Sequence, residues 1–221
     1  MVSAVSELEQ LTRAAERAAD GSPAGAEDAV AALPWLAASI RRDRAAGRFA
    51  TWGLSTIIDE NTGAAVIPRA LFEELHRSAG IAAEWPIGNA GLLHCYGYLL
   101  SVEATPYGLK RDRWTEGALA QACGRNPEAF LPWIDGPTLL ERATEAASSL
   151  LAAPAAGARQ SIDGREAILA LGATAGPTAL VYAVAPGADA AAALVTMFPV
   201  ADASAPLEEF TRTPRLRWNA A

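Results

Sequence analysis

Lysine is almost missing from this 221-residue chain: Lys110 is the single lysine, and the remaining positive side chains are arginine. A heavy alanine load goes with this bias, and together they suggest a G+C-rich coding sequence. Arginine abundance therefore carries little functional weight, and the lone lysine stands out. Histidine and cysteine are scarce too. Two histidines, His76 and His94, and two cysteines, Cys95 and Cys123, show no metal-ligand spacing. Two cysteines also exclude a disulfide scaffold. No metal and no cofactor are expected. Positive charge is in deficit, with a net charge of −7 and a pI of about 4.9. That argues against a general nucleic-acid surface, which needs excess cations. No apolar run is long enough for a membrane span. The longest, AAAALVTMFPV over 190–200, suits a buried strand. The opening MVSAVSELEQLTRAAERAAD is acidic and has no apolar signal core, so a cytoplasmic location is expected, with no membrane partner.

Motifs are lacking as well. There is no GxGxxG between a strand and a helix, no GxxxxGK[ST], and no GxSxG, HExxH or CxxC. These absences remove the standard nucleotide, metalloprotease and hydrolase readings.

What is present is a globular composition, 51% apolar and 19% charged, in a chain long enough to bury a core without staples. Apolar positions at helical spacing predict a helix over 4–19, ended by Gly21. A second helical stretch runs over 25–45 and is interrupted at Pro34. TWGLSTII (51–58) and AAVIP read as strands around the turn DENTG. PRALFEELHR predicts a helix opened by Pro68, and GPTLLERATEAASSLLAA (136–153) another. LLHCYGYLLSV (92–102) reads as a strand. Asp163–Gly164 marks a hairpin turn. TALVYAVAP and AALVTMFPV follow as strands, with RLRW as a last, polar one. The expected class is α+β, with N-terminal and central helices packed on a mainly antiparallel sheet that ends in a C-terminal meander. A single domain over 1–221 is expected, with a helical segment over 1–47. An internal boundary at 152–158 is the alternative. The final strands are similar in passing to compact ribonuclease-type toxin domains, with no motif that carries residues across.

One region concentrates chemistry-bearing residues. As a strand, 92–102 would present Leu92, His94, Tyr96, Tyr98, Leu100 and Val102 on one face. Leu93, Cys95, Gly97, Leu99 and Ser101 would lie on the other. The first face has a polar aromatic centre, in which Tyr96 and Tyr98 would orient a ligand and His94 would exchange a proton near neutral pH. Glu103, at the strand end, is a candidate general base. Next comes TPYGLKRDRW (105–114), where Lys110, Arg111 and Arg113 bracket Asp112. Arginine forks and a lysine point charge suit a carboxylate or phosphate, and Trp114 would wall the site. A Schiff base needs a desolvated lysine. Neighbouring arginines would lower the Lys110 pKa while Asp112 opposes them, so anion binding is the expected role. The same segment also fits a helix start with a capping Asp112 and local ion pairs.

The function expected is a small soluble, metal-independent enzyme. It would bind an anionic or polar aromatic metabolite, carboxylate- or phosphate-bearing, and use acid–base chemistry through His94 and Glu103. The alternatives are a non-catalytic ligand-binding or interaction domain and a ribonuclease-like RNA-processing domain. A homo-oligomer is left open.

Overall fold

The structure is a computed structural model describing residues 4–187, 190–213 and 215–221. Helix α1 (Ala4–Ala18) buries Leu11, Ala14, Ala15 and Ala18 at helical intervals. Ser22 caps α2 (Pro23–Ala31) by accepting the Gly25 N–H at 3.0 Å. Pro34, which has no N–H to continue the ladder, opens α3 (Pro34–Ala45) at the expected interruption. After β1 (Leu54–Thr56), α4 (Arg69–Ala79) ends at Gly80, whose φ of 64° is left-handed. Of the expected strand AAVIP only an isolated bridge remains, between Ile58 and Ala65. Strand β2 (Ile87–Asn89) pairs antiparallel with β1, placing Ser55 opposite Gly88.

The strand expected over 92–102 is not formed. The chain instead makes helix α5 (Ala90–Cys95) and a 3-10 turn over Gly97–Leu100. Two causes are visible. Asn89 stands at the N-cap, and its Oδ1 accepts the Leu92 N–H at 3.0 Å. Every residue from Gly88 to Ser101 is buried, so no polar face marks the helical period. The alternating face of His94, Tyr96 and Tyr98 is therefore not formed: His94 and Tyr98, four residues apart, stay side by side, while Tyr96 points away to Asp43.

A short hairpin follows, β3 (Ala104–Thr105) with β4 (Gly108–Leu109). Next come α6 (Asp112–Thr115) and α7 (Ala118–Ala122), then the long α8 (Leu139–Ala152), which Thr138 caps through the Glu141 N–H at 3.1 Å. Asp112 lies inside α6 and makes no cap bond there.

The C-terminal meander is present: β5 (Ala156–Ile162), β6 (Arg165–Leu171), β7 (Thr178–Ala185) and β8 (Ala193–Val200) pair antiparallel in sequence order. Asp163 (φ 51°) and Gly164 (φ 78°) are both left-handed, as a two-residue hairpin turn requires. Period-two alternation splits the sheet's contacts. Ala179, Val181 and Ala183 join the core made by the helices, while Leu169, Leu180 and Tyr182 face a second cluster with Phe210 and Trp218. Phe210 comes from α9 (Ser204–Arg212), for which no helix is expected from sequence. RLRW is not a strand; Ala220 beyond it forms one bridge, to Ser55. The α+β class holds. Its consequence for the site is that β1, β2 and β8 pack against α5: the Gly53 N–H donates to the Leu194 carbonyl at 2.8 Å, and Val195 lies unpaired where the β7–β8 register shifts.

Candidate functional site

The placement of α5 begins at His76 on α4. His76 Nδ1 donates to the Phe72 carbonyl at 2.8 Å, which leaves Nε2 to accept the Asn89 N–H at 3.1 Å. The Asn89 amide then donates to the carbonyls of Phe49 (3.0 Å) and Trp52 (3.3 Å) while its oxygen caps α5. His76 thus holds the residue that starts the helix bearing His94.

His94 is buried. Its Nε2 lies 3.0 Å from Ser55 Oγ and its Nδ1 3.2 Å from Thr196 Oγ1, so both nitrogens are occupied by hydroxyls. The Trp114 indole N–H donates to the His94 carbonyl at 3.1 Å. Burial first, then the positive charges of Arg113 and Lys110, hold the His94 pKa well below the ordinary 6.5. The ring is therefore neutral at physiological pH, and the one N–H it keeps is too weak an acid for general-acid work.

Tyr98 is the hub of the region. Its ring centre is 4.5 Å from that of His94. Lys110 Nζ stands over the same ring at 4.8 Å, and the Arg113 guanidinium at 5.5 Å. The Asn219 amide donates to the Tyr98 hydroxyl at 3.1 Å. Burial raises the Tyr98 pKa strongly, so the phenol stays protonated. His94, Tyr98, Lys110 and Arg113 are thus brought together, and what His94 and Lys110 share is this ring.

Lys110 is paired, though with Asp59 and not with Asp112: Nζ lies 2.5 Å from Asp59 Oδ2, and both side chains are almost wholly enclosed. Asp112 stands by Arg111 instead, at 3.7 Å. Burial is the largest influence on both members of the pair, and it acts against charge on each. For Asp59, the hydrogen bond and charge of Lys110 together with the Asn61 and Thr62 N–H groups outweigh burial and hold the pKa below 3.8. For Lys110, burial and Arg113 outweigh Asp59, and the pKa falls below 10.5. The carboxylate is held ionised more firmly than the ammonium.

The other expected site residues lie elsewhere. Tyr96 points away from Tyr98, and its hydroxyl donates to Asp43, a fully buried carboxylate on α3. Asp43 also accepts from Thr138 Oγ1 (2.6 Å) and Arg48 Nη1 (3.2 Å). This is a framework joining α3, α5 and α8. Glu103 is exposed, in the link before β3. Trp114 is buried with its ring edge against Phe130 at 5.8 Å. Neither thiol has nucleophilic character. Cys95 is buried with a strongly raised pKa, and burial lifts Cys123 to about 11.

Arg113 is the exception among the arginines. Of those not exposed, Arg48 contacts Asp43 and Glu141, Arg111 Asp112, Arg125 Glu145, and Arg217 Glu209. Arg142 donates to the carbonyls of Thr138, Ala129 and Leu131. Arg113 is half-buried, yet among the described residues no carboxylate, carbonyl or hydroxyl accepts from it; its neighbour is the Tyr98 ring.

Sequence reasoning missed Asp59, Ser55, Thr196 and Asn219, which come from four distant parts of the chain. Asp59 had a visible signal, since DENTG is an Asx-turn sequence, but nothing in it points to Lys110. No group of His, Cys, Asp and Glu fit to hold a metal ion occurs among the described residues. A shallow groove of about 200 Å³ lined by Gly53, Leu54, Val184, Ala193 and Ala220 contains none of the expected residues. Comparison with protein-family models, with curated proteins and with solved structures finds no match for this chain.

Proposed function

We propose that the chain binds a small anionic molecule, carboxylate- or phosphate-bearing, at Arg113 beside the Tyr98 ring. The supporting observation is the unpaired guanidinium. The guanidinium is half-buried and still reached by water, yet it has no partner in the fold, whereas each of the other arginines that is not exposed contacts a carboxylate or carbonyl. Arginine cannot escape by losing its proton, so a ligand anion is the group that would complete the site. An aromatic anion would also find the Tyr98 ring and the Asp59–Lys110 pair alongside.

Of the two halves of the expected activity, binding is the one carried forward. His94 is neutral with both nitrogens engaged, and exposed Glu103 lies outside the Tyr98 cluster. Acid–base catalysis by those two residues therefore forms no part of the proposal.

Thermal unfolding with phosphate, sulfate, citrate and benzoate tests it, with titration calorimetry on any anion that stabilises. Such a ligand at a hundred times its Kd would add about 2.7 kcal/mol to the folded state. The expected result is a rise in Tm for one or more anions that Arg113→Gln abolishes. Equal responses of the native protein and the variant to every anion would overturn it.

A further inference from the structure

Lys110 is the part of the cluster that anion binding leaves unused. It is the single lysine of the sequence, it sits on the same ring as Arg113, and its ammonium abuts a carboxylate. We infer that Lys110 forms an imine with a 2-oxo acid whose carboxylate is held by Arg113. The inference rests on the anion-binding reading of Arg113 and names the ligand class for that same site.

Imine chemistry asks three things of a lysine. The amine must be desolvated, and the Lys110 side chain is 9% exposed. A nearby group must take its proton and return one, and Asp59 Oδ2 lies 2.5 Å from Nζ. The electrophile must be held close. Arg113 lies near enough for its charge to oppose that of the ammonium. In a 2-oxo acid the carbonyl carbon is bonded directly to the carboxylate carbon, so anchoring one brings the other toward Nζ. Among the groups facing Nζ, Asp59 and the charge of Glu60 favour the ammonium, while burial and Arg113 disfavour it.

The atoms balance without an oxidant or a reductant. Asp59 takes a proton from the ammonium. The free amine adds to the carbonyl carbon, the nitrogen so charged passes one of its protons to the oxygen, and a neutral carbinolamine forms. Asp59 returns its proton to the departing hydroxyl, which leaves as water, and a protonated imine remains on Nζ.

The test uses the full chain with pyruvate as probe and sodium cyanoborohydride, whose hydride reduces the imine to a stable secondary amine. Acetone serves as the uncharged counterpart. Peptide mass mapping separates Lys110 from the N-terminal amine. The expected result is adduct on Lys110, formed roughly ten-fold or more faster from pyruvate than from acetone, as loss of one charged contact implies. Arg113→Gln removes that preference, and Lys110→Arg gives no adduct. Adduct on the N-terminal amine alone would overturn the imine, and so would equal labelling of Lys110 by pyruvate and acetone. Anion-dependent Tm shifts are read without any bond to Lys110, so the binding proposal stands or falls separately.

Discussion

Lys110 Nζ and Asp59 Oδ2 lie 2.5 Å apart, joining the loop after β1 to the end of the β3–β4 hairpin beneath the Tyr98 ring. With 9% and 3% of the two side chains exposed, this is a buried pair. Removing one partner of such a pair leaves an uncompensated charge and costs about 3–5 kcal/mol, whereas replacing both is much milder. Asp59→Asn and Lys110→Met are each expected to lose stability. The double variant should be more stable than the sum of the single losses predicts. Urea unfolding in a double-mutant cycle measures this, and additive losses would show that the two groups do not couple. The pH dependence has a defined sign. Asp59 titrates lower in the folded state than its ordinary 3.8, so its contribution is present above that value and is lost as pH falls through the folded pKa.

The two histidines predict a second pH dependence at milder acidity. Burial lowers His76, and burial with Arg113 and Lys110 lowers His94 well below 6.5. The unfolded chain therefore binds protons below pH 6.5 that the folded chain refuses, and stability falls as pH falls. Each histidine contributes a slope of up to about 1.4 kcal/mol per pH unit. Asp43 acts in the opposite direction, because burial raises its carboxyl, so the His94 part is best isolated by difference. His94→Gln is expected to be less stable at pH 7.5 and to lose less on going to pH 5.5 than the native protein. Urea midpoints at several pH values check it. An unchanged slope in the variant would mean that His94 titrates normally.

Much of the scaffold was legible in the chain. Pro34, Gly80 and the Asp163–Gly164 pair punctuate the backbone where proline, glycine and hairpin chemistry dictate, and the final strands alternate because one face meets the helices and the other α9. The segment carrying His94 was not legible as a helix. It is buried all round, and a short apolar run with no polar face suits a strand equally well. The signal that decides it is Asn89, three residues before Leu92, as an N-cap. That Lys110, Arg113, Tyr98 and His94 belong together was within reach of sequence proximity. That Asp59 neutralises Lys110, leaving Arg113 as the unpaired cation, was not, because contacts across distant loops have no local pattern.

The same Asn89 anchor yields a third prediction. Gly88 is the residue of β2 opposite Ser55, and a Cβ there would press on His76 Nε2, lying 2.5 Å from His76 Cε1 and 2.8 Å from Phe72 Cε2. His76 has little room to yield, because its Nδ1 is bound to the Phe72 carbonyl and its ring packs against that of Phe72, with centres 4.2 Å apart. Gly88→Ala should therefore displace the imidazole, break its bond to the Asn89 N–H and loosen the start of α5. Overpacking of this kind costs about 1–3 kcal/mol, and the lost hydrogen bond adds about 1 kcal/mol. The companion variant His76→Ala makes room for the new methyl group but sacrifices the same bond. If the close contact is the cause, the double variant should be less destabilised than the two single losses combined, measured by urea unfolding at pH 7.5. Tryptophan fluorescence of the folded state should also shift in Gly88→Ala, since Trp85 packs edge-on against Phe72 at 5.4 Å. Full stability in the single variant would show that His76 can move without cost and would remove it from the chain of contacts that places His94.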